Sequence, residues 1–259
     1  TAPSLPQALL PKKPQLHPKA QSDDIKMHLL IIGGSGRTGK LIVQAALKAN
    51  HTITALVRTP SSLTPNPNLT IIQGTPTSSS DISTAITSSP QKPDAVIVSL
   101  ASLRKTDSPF SAPVSPPTFM TDVHRLLLAE MRSRGIERLI TISAVGVGDS
   151  NPNVFWPMRM ILNKSPMAVG QKDHAGVEAL VRRAGKEDGL RWTLVRPCML
   201  AGGEDGGEAL PVKVFGETGE GLGCMPSVTR RSVAEWVVGV ALDGVKGEEW
   251  IRKTPVLAN

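Results

Sequence analysis

Apolar residues gather along the chain in short runs of strand length: His28 to Ile32, Thr52 to Val57, Leu69 to Gln73, Ala95 to Leu100, Arg138 to Ser143 and Arg191 to Arg196. Each run is nearly continuous rather than alternating, as expected when both faces of a parallel sheet are covered. Between the runs the period lengthens to that of a helix. Leu41, Ile42, Ala45, Ala46 and Ala49 share one helical face, and so do Val123, Leu126, Leu127 and Met131, with Gly135 placed to stop that helix. Val177, Leu180, Val181 and Ala184 repeat the pattern, with Gly185 as the stop. A last helix carries Val233, Trp236, Val237 and Val240, with Ser232 as its cap. Strands and helices alternating through right-handed crossovers predict an α/β fold, a doubly wound parallel sheet.

Two stretches break this rhythm. Residues 102–119, rich in Ser and Pro, follow the fourth strand, and residues 146–170 follow the fifth. Both leave the carboxyl ends of strands, where open α/β sheets bind ligands, and loops of this length in a compact domain are usually functional. They form a small substrate-side region of a single domain over residues 27–259. Residues 1–26 are different, with Pro3, Pro6, Pro11, Pro14 and Pro18 among Lys12, Lys13, Lys19 and Lys26. That composition predicts a basic, extended and poorly ordered arm.

Composition narrows the classes. Aromatic residues are only 3%, so the core is built from Leu, Ile, Val and Ala, which suits layered α/β packing. No apolar run approaches the roughly 18 residues of a membrane span, and no secretory signal pattern opens the chain. Cys198 and Cys224 lie far apart, so neither a disulfide framework nor a metal site is expected; the natural setting is reducing and cytoplasmic. The net charge of +7 raises the question of nucleic acid. The basic residues are scattered, however, and no aromatic side chains are interleaved to stack on bases. The expected partner is a small molecule, with neither specific nucleic acid nor membrane, on a monomer or weak dimer.

The first strand is joined to the first helix by Gly33-Gly34-Ser35-Gly36-Arg37-Thr38-Gly39. In this context the glycines have separate tasks: Gly33 allows a tight turn, Gly36 lets a pyrophosphate approach the backbone, and Gly39 lets helix and strand pack closely. N–H groups at the helix start then face the phosphates, with Ser35, Arg37 and Thr38 around them. The motif predicts a dinucleotide-binding Rossmann fold. Arg58 ends the second strand, where NAD sites commonly carry an acidic residue for the ribose hydroxyl. An arginine there suits a 2′-phosphate, with Ser61 and Ser62 near enough to assist, so the expected cofactor is NADP(H). The chain contains no tyrosine, which excludes the tyrosine-dependent short-chain dehydrogenase mechanism.

Leu29 to Gly39, Leu56-Val57-Arg58, Asp94 to Val98, Thr141 to Ala144 and Trp192 to Pro197 together resemble the atypical short-chain dehydrogenase/reductases. The closer resemblance is to their NmrA-like and biliverdin-IXβ reductase (flavin reductase) branch. It extends over roughly residues 28 to 245. Its most particular feature is Asp173-His174 opening a helix that ends just before the GLRWTLVRP strand; Pro226 to Arg230 before the last helix also fits that group. The resemblance implies NADP on the sheet, Leu100 and Ala101 flanking a ribose, Ser143 near the nicotinamide, His174 beside the substrate pocket, and Pro197 presenting backbone to the carboxamide. Gly74-Thr75 stands where the group often has an acidic residue.

Hydride chemistry belongs to the nicotinamide, and the protein supplies orientation and sometimes a proton. Ser143 and His174 are therefore the candidate catalytic residues, with Asp173 either orienting the imidazole or capping a helix. The reading is an NADPH-dependent oxidoreductase reducing a small conjugated acceptor such as a flavin or quinone by direct hydride transfer. The alternatives are a non-catalytic NADP-binding sensor and a redox-neutral isomerase or cyclase.

Overall fold

The computed structural model describes residues 26–89, 91–106, 108–242 and 247–259. The predicted arm lies outside them except for Lys26. The first half of the chain runs β1 (His28–Ile32), α1 (Arg37–Lys48), β2 (Thr52–Val57), β3 (Leu69–Gln73), α2 (Ser79–Thr87), β4 (Ala95–Val98), α3 (Phe119–Ser133) and β5 (Arg138–Ile142). It continues with α4 (Trp156–Lys164), α5 (Met167–Glu187), β6 (Arg191–Pro197), β7 (Met199–Ala201), β8 (Lys213–Val214), β9 (Ser227–Thr229), α6 (Arg230–Trp236) and β10 (Val256–Ala258). The main sheet has the order β3-β2-β1-β4-β5-β6-β10-β8. Its strands are parallel except β8, which pairs antiparallel with β10 at the edge. A separate pair, β7 and β9, lies outside this sheet.

The continuous apolar runs are explained by two cores. Leu29 and Ile31 of β1 pack with Ile42 and Ala46 of α1 and Val233 and Val237 at the α6 end. Leu30 and Ile32 point the other way, onto Ile82 of α2, Leu127 of α3 and Val181 of α5. A strand alternates its side chains, so covering both faces makes every position apolar.

Three local expectations are corrected. Gly185 does not stop the third predicted helix. α5 runs on to Glu187, and Gly189, at φ 74°, follows the end. Gly185 is needed for packing instead, since a Cβ there would lie 2.3 Å from Trp192 Nε1. Ser232 is inside α6 rather than its cap; Thr229 caps it by accepting the Ser232 N–H. Residues 146–170 are not one loop. They hold a 3-10 turn at Gly148–Asn153, all of α4 and the start of α5. Pro157 and Pro166 occupy helix-start positions, where a missing N–H costs nothing, so they begin helices rather than break them. β4 and β5 also end earlier than expected, at Val98 and Ile142, although the Ser99 and Ser143 N–H groups still donate to the Ile32 and Val195 carbonyls of the neighbouring strands.

His124 ties α3 to β5 beneath the carboxyl edge of the sheet. Its ring nitrogens meet the Met120 carbonyl oxygen at 2.7 Å and Thr141 Oγ1 at 3.1 Å. Burial pushes its pKa down from 6.5 to about 4. Between those values the unfolded chain binds a proton that the native state does not, so stability is lost as pH falls through this window. His124→Asn keeps a donor for Met120 and removes the titration. Urea unfolding at pH 7 and pH 5 should show the wild type losing about 2 kcal/mol more than the variant.

Candidate functional site

The strand order reverses between β1 and β4, and a cavity of about 650 Å³ opens at the carboxyl ends there. Its floor begins at the glycine turn. Gly33 has φ 85°, and a Cβ on it would lie 2.3 Å from the Ser99 carbonyl oxygen. Gly39 sits under the turn, where a Cβ would come within 2.0 Å of the Gly33 carbonyl oxygen. Gly36 is different. A Cβ there would have only Gly33 O nearby, at 3.4 Å, so the space before it is cavity.

Gly36 is also the N-cap of α1, and the first turn holds no acidic residue. The N–H groups of that turn lack intrahelical acceptors, and the helix dipole adds positive potential. Ser35, Arg37 and Thr38 line the same wall. This is a cradle for a phosphate-bearing ligand, and the residues present fit a dinucleotide.

From the turn the cavity extends both ways. Leu56, Val57 and Arg58, at the end of β2, line one end with Thr75 and Pro76. Asp81 holds the backbone there by accepting the Thr75 N–H at 2.8 Å, and its contact with Gly74 leaves no room for a side chain at that position. Ser61 and Ser62 are not among the lining residues; they lie on the 3-10 turn Pro60–Ser62, and the Ser62 hydroxyl donates to the Thr59 carbonyl. Leu100 and Ala101 line the middle. The other end is formed by Ser143, His174, Pro197 and Cys198.

Residues 102–119 add an apolar wall, with Leu103, Val114 and Phe119 lining the cavity. Lys172 is exposed and outside the lining. Burial raises the Cys198 thiol to about 12, so it stays protonated.

At the Ser143 end the polar groups have defined partners. The Ser143 hydroxyl donates to Glu178 Oε1 at 2.7 Å. The Pro197 carbonyl already accepts the Val145 N–H at 3.1 Å, and proline has no N–H to offer. The backbone role expected of Pro197 is thus reduced to one lone pair.

Asp173 and His174 do not open a helix; they lie in the second turn of α5, which starts at Met167. Asp173 caps α3 instead of its own helix. Its carboxylate accepts Met120 N–H at 2.8 Å, Thr121 N–H at 2.9 Å and Thr121 Oγ1 at 2.7 Å. This fills a gap, because Thr118 at the N-cap makes no side-chain capping bond. His174 is partly buried, and burial lowers its pKa against the smaller opposing pull of Glu178 and Asp173. It is a neutral imidazole at pH 7, offering one N–H donor and one acceptor.

Sequence reasoning gave no site role to Glu178, Arg196 or Arg230. Glu178 and Arg196 form a buried ion pair behind Ser143. Arg230 lines the cavity and donates to the Ala201 carbonyl at 3.1 Å. The one available signal for Glu178 was its position, one helical turn after His174 on the same face. Among the described residues no cluster of His, Cys, Asp or Glu is arranged to hold a metal, and no helix is long and apolar enough to cross a membrane.

Comparison with known proteins agrees with this geometry. A family model described as NAD(P)H-binding matches residues 33–243, from the glycine turn to beyond α6. The reductase pytE of Aspergillus terreus is 26% identical over 243 residues, covering 82% of this chain and 90% of its own. A short-chain dehydrogenase/reductase of Veillonella parvula, solved in complex with NADP, shares the fold with a TM-score of 0.68 at 15% identity, over 90% of this chain and 94% of that one. ChuY, an anaerobillin reductase from Escherichia coli O157:H7, gives a TM-score of 0.64 at 18% identity, over 89% of this chain and 96% of its own.

Gly36 and Gly39 separate ligand space from packing space. Gly36→Ala should hold the melting temperature within about 2 °C while weakening NADPH at least about tenfold in a fluorescence titration. Gly39→Ala should instead lower the melting temperature by about 4–10 °C, because its methyl group meets backbone.

Proposed function

The chain belongs to this NAD(P)H-binding family, and we propose that it is an NADPH-preferring reductase of a small conjugated acceptor. One observation carries the reading. One cavity runs from Arg58 at one end, past the phosphate cradle, to Ser143 and His174 at the other. That is the span a dinucleotide needs if its 2′-phosphate is to sit by an arginine and its nicotinamide by polar groups. The reductase relative in Aspergillus terreus supports the same class of chemistry.

When bound, the reduced nicotinamide supplies a hydride. The chain's own residues bind, orient and exclude water. The first turn of α1 would hold the phosphates, and Arg58 would make a charge-assisted contact to the 2′-phosphate. Leu103, Val114 and Phe119 offer an apolar wall to a flat conjugated acceptor. The Ser143 proton is directed to Glu178, so Ser143 accepts hydrogen bonds rather than donating a proton. His174, neutral, can offer N–H to an oxygen or nitrogen of the acceptor as negative charge develops. A conjugated acceptor can take its final proton from water, which removes the need for a catalytic tyrosine.

The test is NADPH and NADH titration followed by NADPH oxidation with FMN, riboflavin and simple quinones. Tight NADPH binding with turnover supports the reductase. Tight binding without turnover across a broad acceptor panel favours a nucleotide sensor, and no binding overturns the reading. Arg58→Glu should weaken NADPH at least about 30-fold while changing NADH less than about threefold, as expected for loss of a charge-assisted contact. Equal losses would remove Arg58 from the 2′-phosphate.

A further inference from the structure

The buried ion pair behind Ser143 has a geometry that packing alone does not require. The Glu178 carboxylate is only 6% exposed and the Arg196 side chain has no exposed surface. Glu178 Oε1 accepts both the Ser143 hydroxyl, at 2.7 Å, and Arg196 Nε, at 3.0 Å. Oε2 accepts Arg196 Nη2 at 2.6 Å. Arg196 Nη1 donates to the Asp149 carboxylate and to the Glu217 carbonyl oxygen, which fixes the guanidinium from its far side. Gly148, at φ 56°, covers the pair, and a Cβ on it would lie 3.3 Å from Arg196 Nη2.

Replacing such a pair with well-packed apolar residues is often neutral or stabilising, so stability is a weak reason for it. What it does is orient one hydroxyl on the cavity wall. A serine hydroxyl has one proton and two lone pairs, and its rotor is otherwise open to either role. With the proton pointed at a carboxylate that is itself held by two guanidinium bonds, the oxygen turns only lone pairs toward the cavity. The neighbouring backbone acceptor, Pro197 O, is already engaged by Val145 N–H.

We propose that Glu178 is a positioning residue that, through Ser143, selects a ligand presenting an amide N–H donor at this end of the cavity, namely the carboxamide of the nicotinamide. The inference rests on the reading that NADPH lies with its nicotinamide at Ser143. Arg196 is the part that keeps Glu178 in place, and Asp149 links the turn after β5 to the same array.

Binding of NADPH is compared with that of its reduced 3-acetylpyridine analogue, in which a methyl ketone replaces the carboxamide and no N–H is offered. Both are titrated against wild type, Ser143→Ala and Glu178→Leu. Because removing one partner of a buried pair is destabilising, the double variant Glu178→Leu/Arg196→Leu is measured alongside, with folding checked by circular dichroism. The wild type should prefer NADPH roughly five- to tenfold, the size of one hydrogen bond. The preference should fall to within about twofold in Ser143→Ala and in whichever Glu178 variants remain folded. A merely structural role would weaken both ligands equally and leave the ratio at its wild-type value, which overturns the proposal. Equal binding of the two ligands by wild type overturns it as well. Failure of wild type to bind NADPH at all is a different result, which removes the cofactor reading on which the proposal rests.

Discussion

The architecture depends on how closely α1 can approach the carboxyl ends of β1 and β4. That approach is set by backbone, not side chains. A methyl group on Gly33 would meet the Ser99 carbonyl at 2.3 Å, and one on Gly39 would meet the Gly33 carbonyl at 2.0 Å. Only with both absent can the first turn of α1 present its N–H groups directly over the point where the strand order reverses. The cavity, its positive end and its position on the sheet follow from this contact.

Around that turn the structure places charge where local rules would not. Asp173, on α5, caps α3, and so ties together two helices that pack on the same face of the sheet. Glu178, one turn further along, reaches β5 and β6 through Ser143 and Arg196. His124 joins α3 to β5 as a neutral ring, and burial keeps it so. One helix thus carries, within two turns, a cap for its neighbour, a candidate contact for the acceptor and an anchor for Ser143. Their order along α5 keeps the apolar wall, the imidazole and the hydroxyl in fixed relation at one end of the cavity.

Much of this was legible beforehand. β1 and β2 occupy the predicted spans because two-sided burial leaves a continuous apolar run, while β3, a less buried edge strand, was marked by its short apolar run alone. The glycine turn was readable because each glycine answers a local steric demand. α4 was hidden, since Trp156 and Met160 are exposed and leave no apolar stripe to recognise. Gly185 misled because a glycine near a helix end usually stops it, whereas here it makes room for the Trp192 indole across the gap between α5 and β6.

By itself, then, the sequence determined the layered α/β class, the spans of β1 to β3, the glycine turn with Arg58 following the second strand, and the lack of a tyrosine on which a tyrosine mechanism could rest. These are decided by neighbours a few residues apart, through periodicity and backbone sterics. The tertiary structure decided what the polar side chains do. Ser61 and Ser62 stand aside from the cavity, Asp173 serves a helix residue 52 positions earlier, and Ser143 takes its orientation from Glu178 and Arg196. A hydrogen bond forms with whatever group the fold brings within about 3 Å, and residues distant in sequence announce no such partnership in advance.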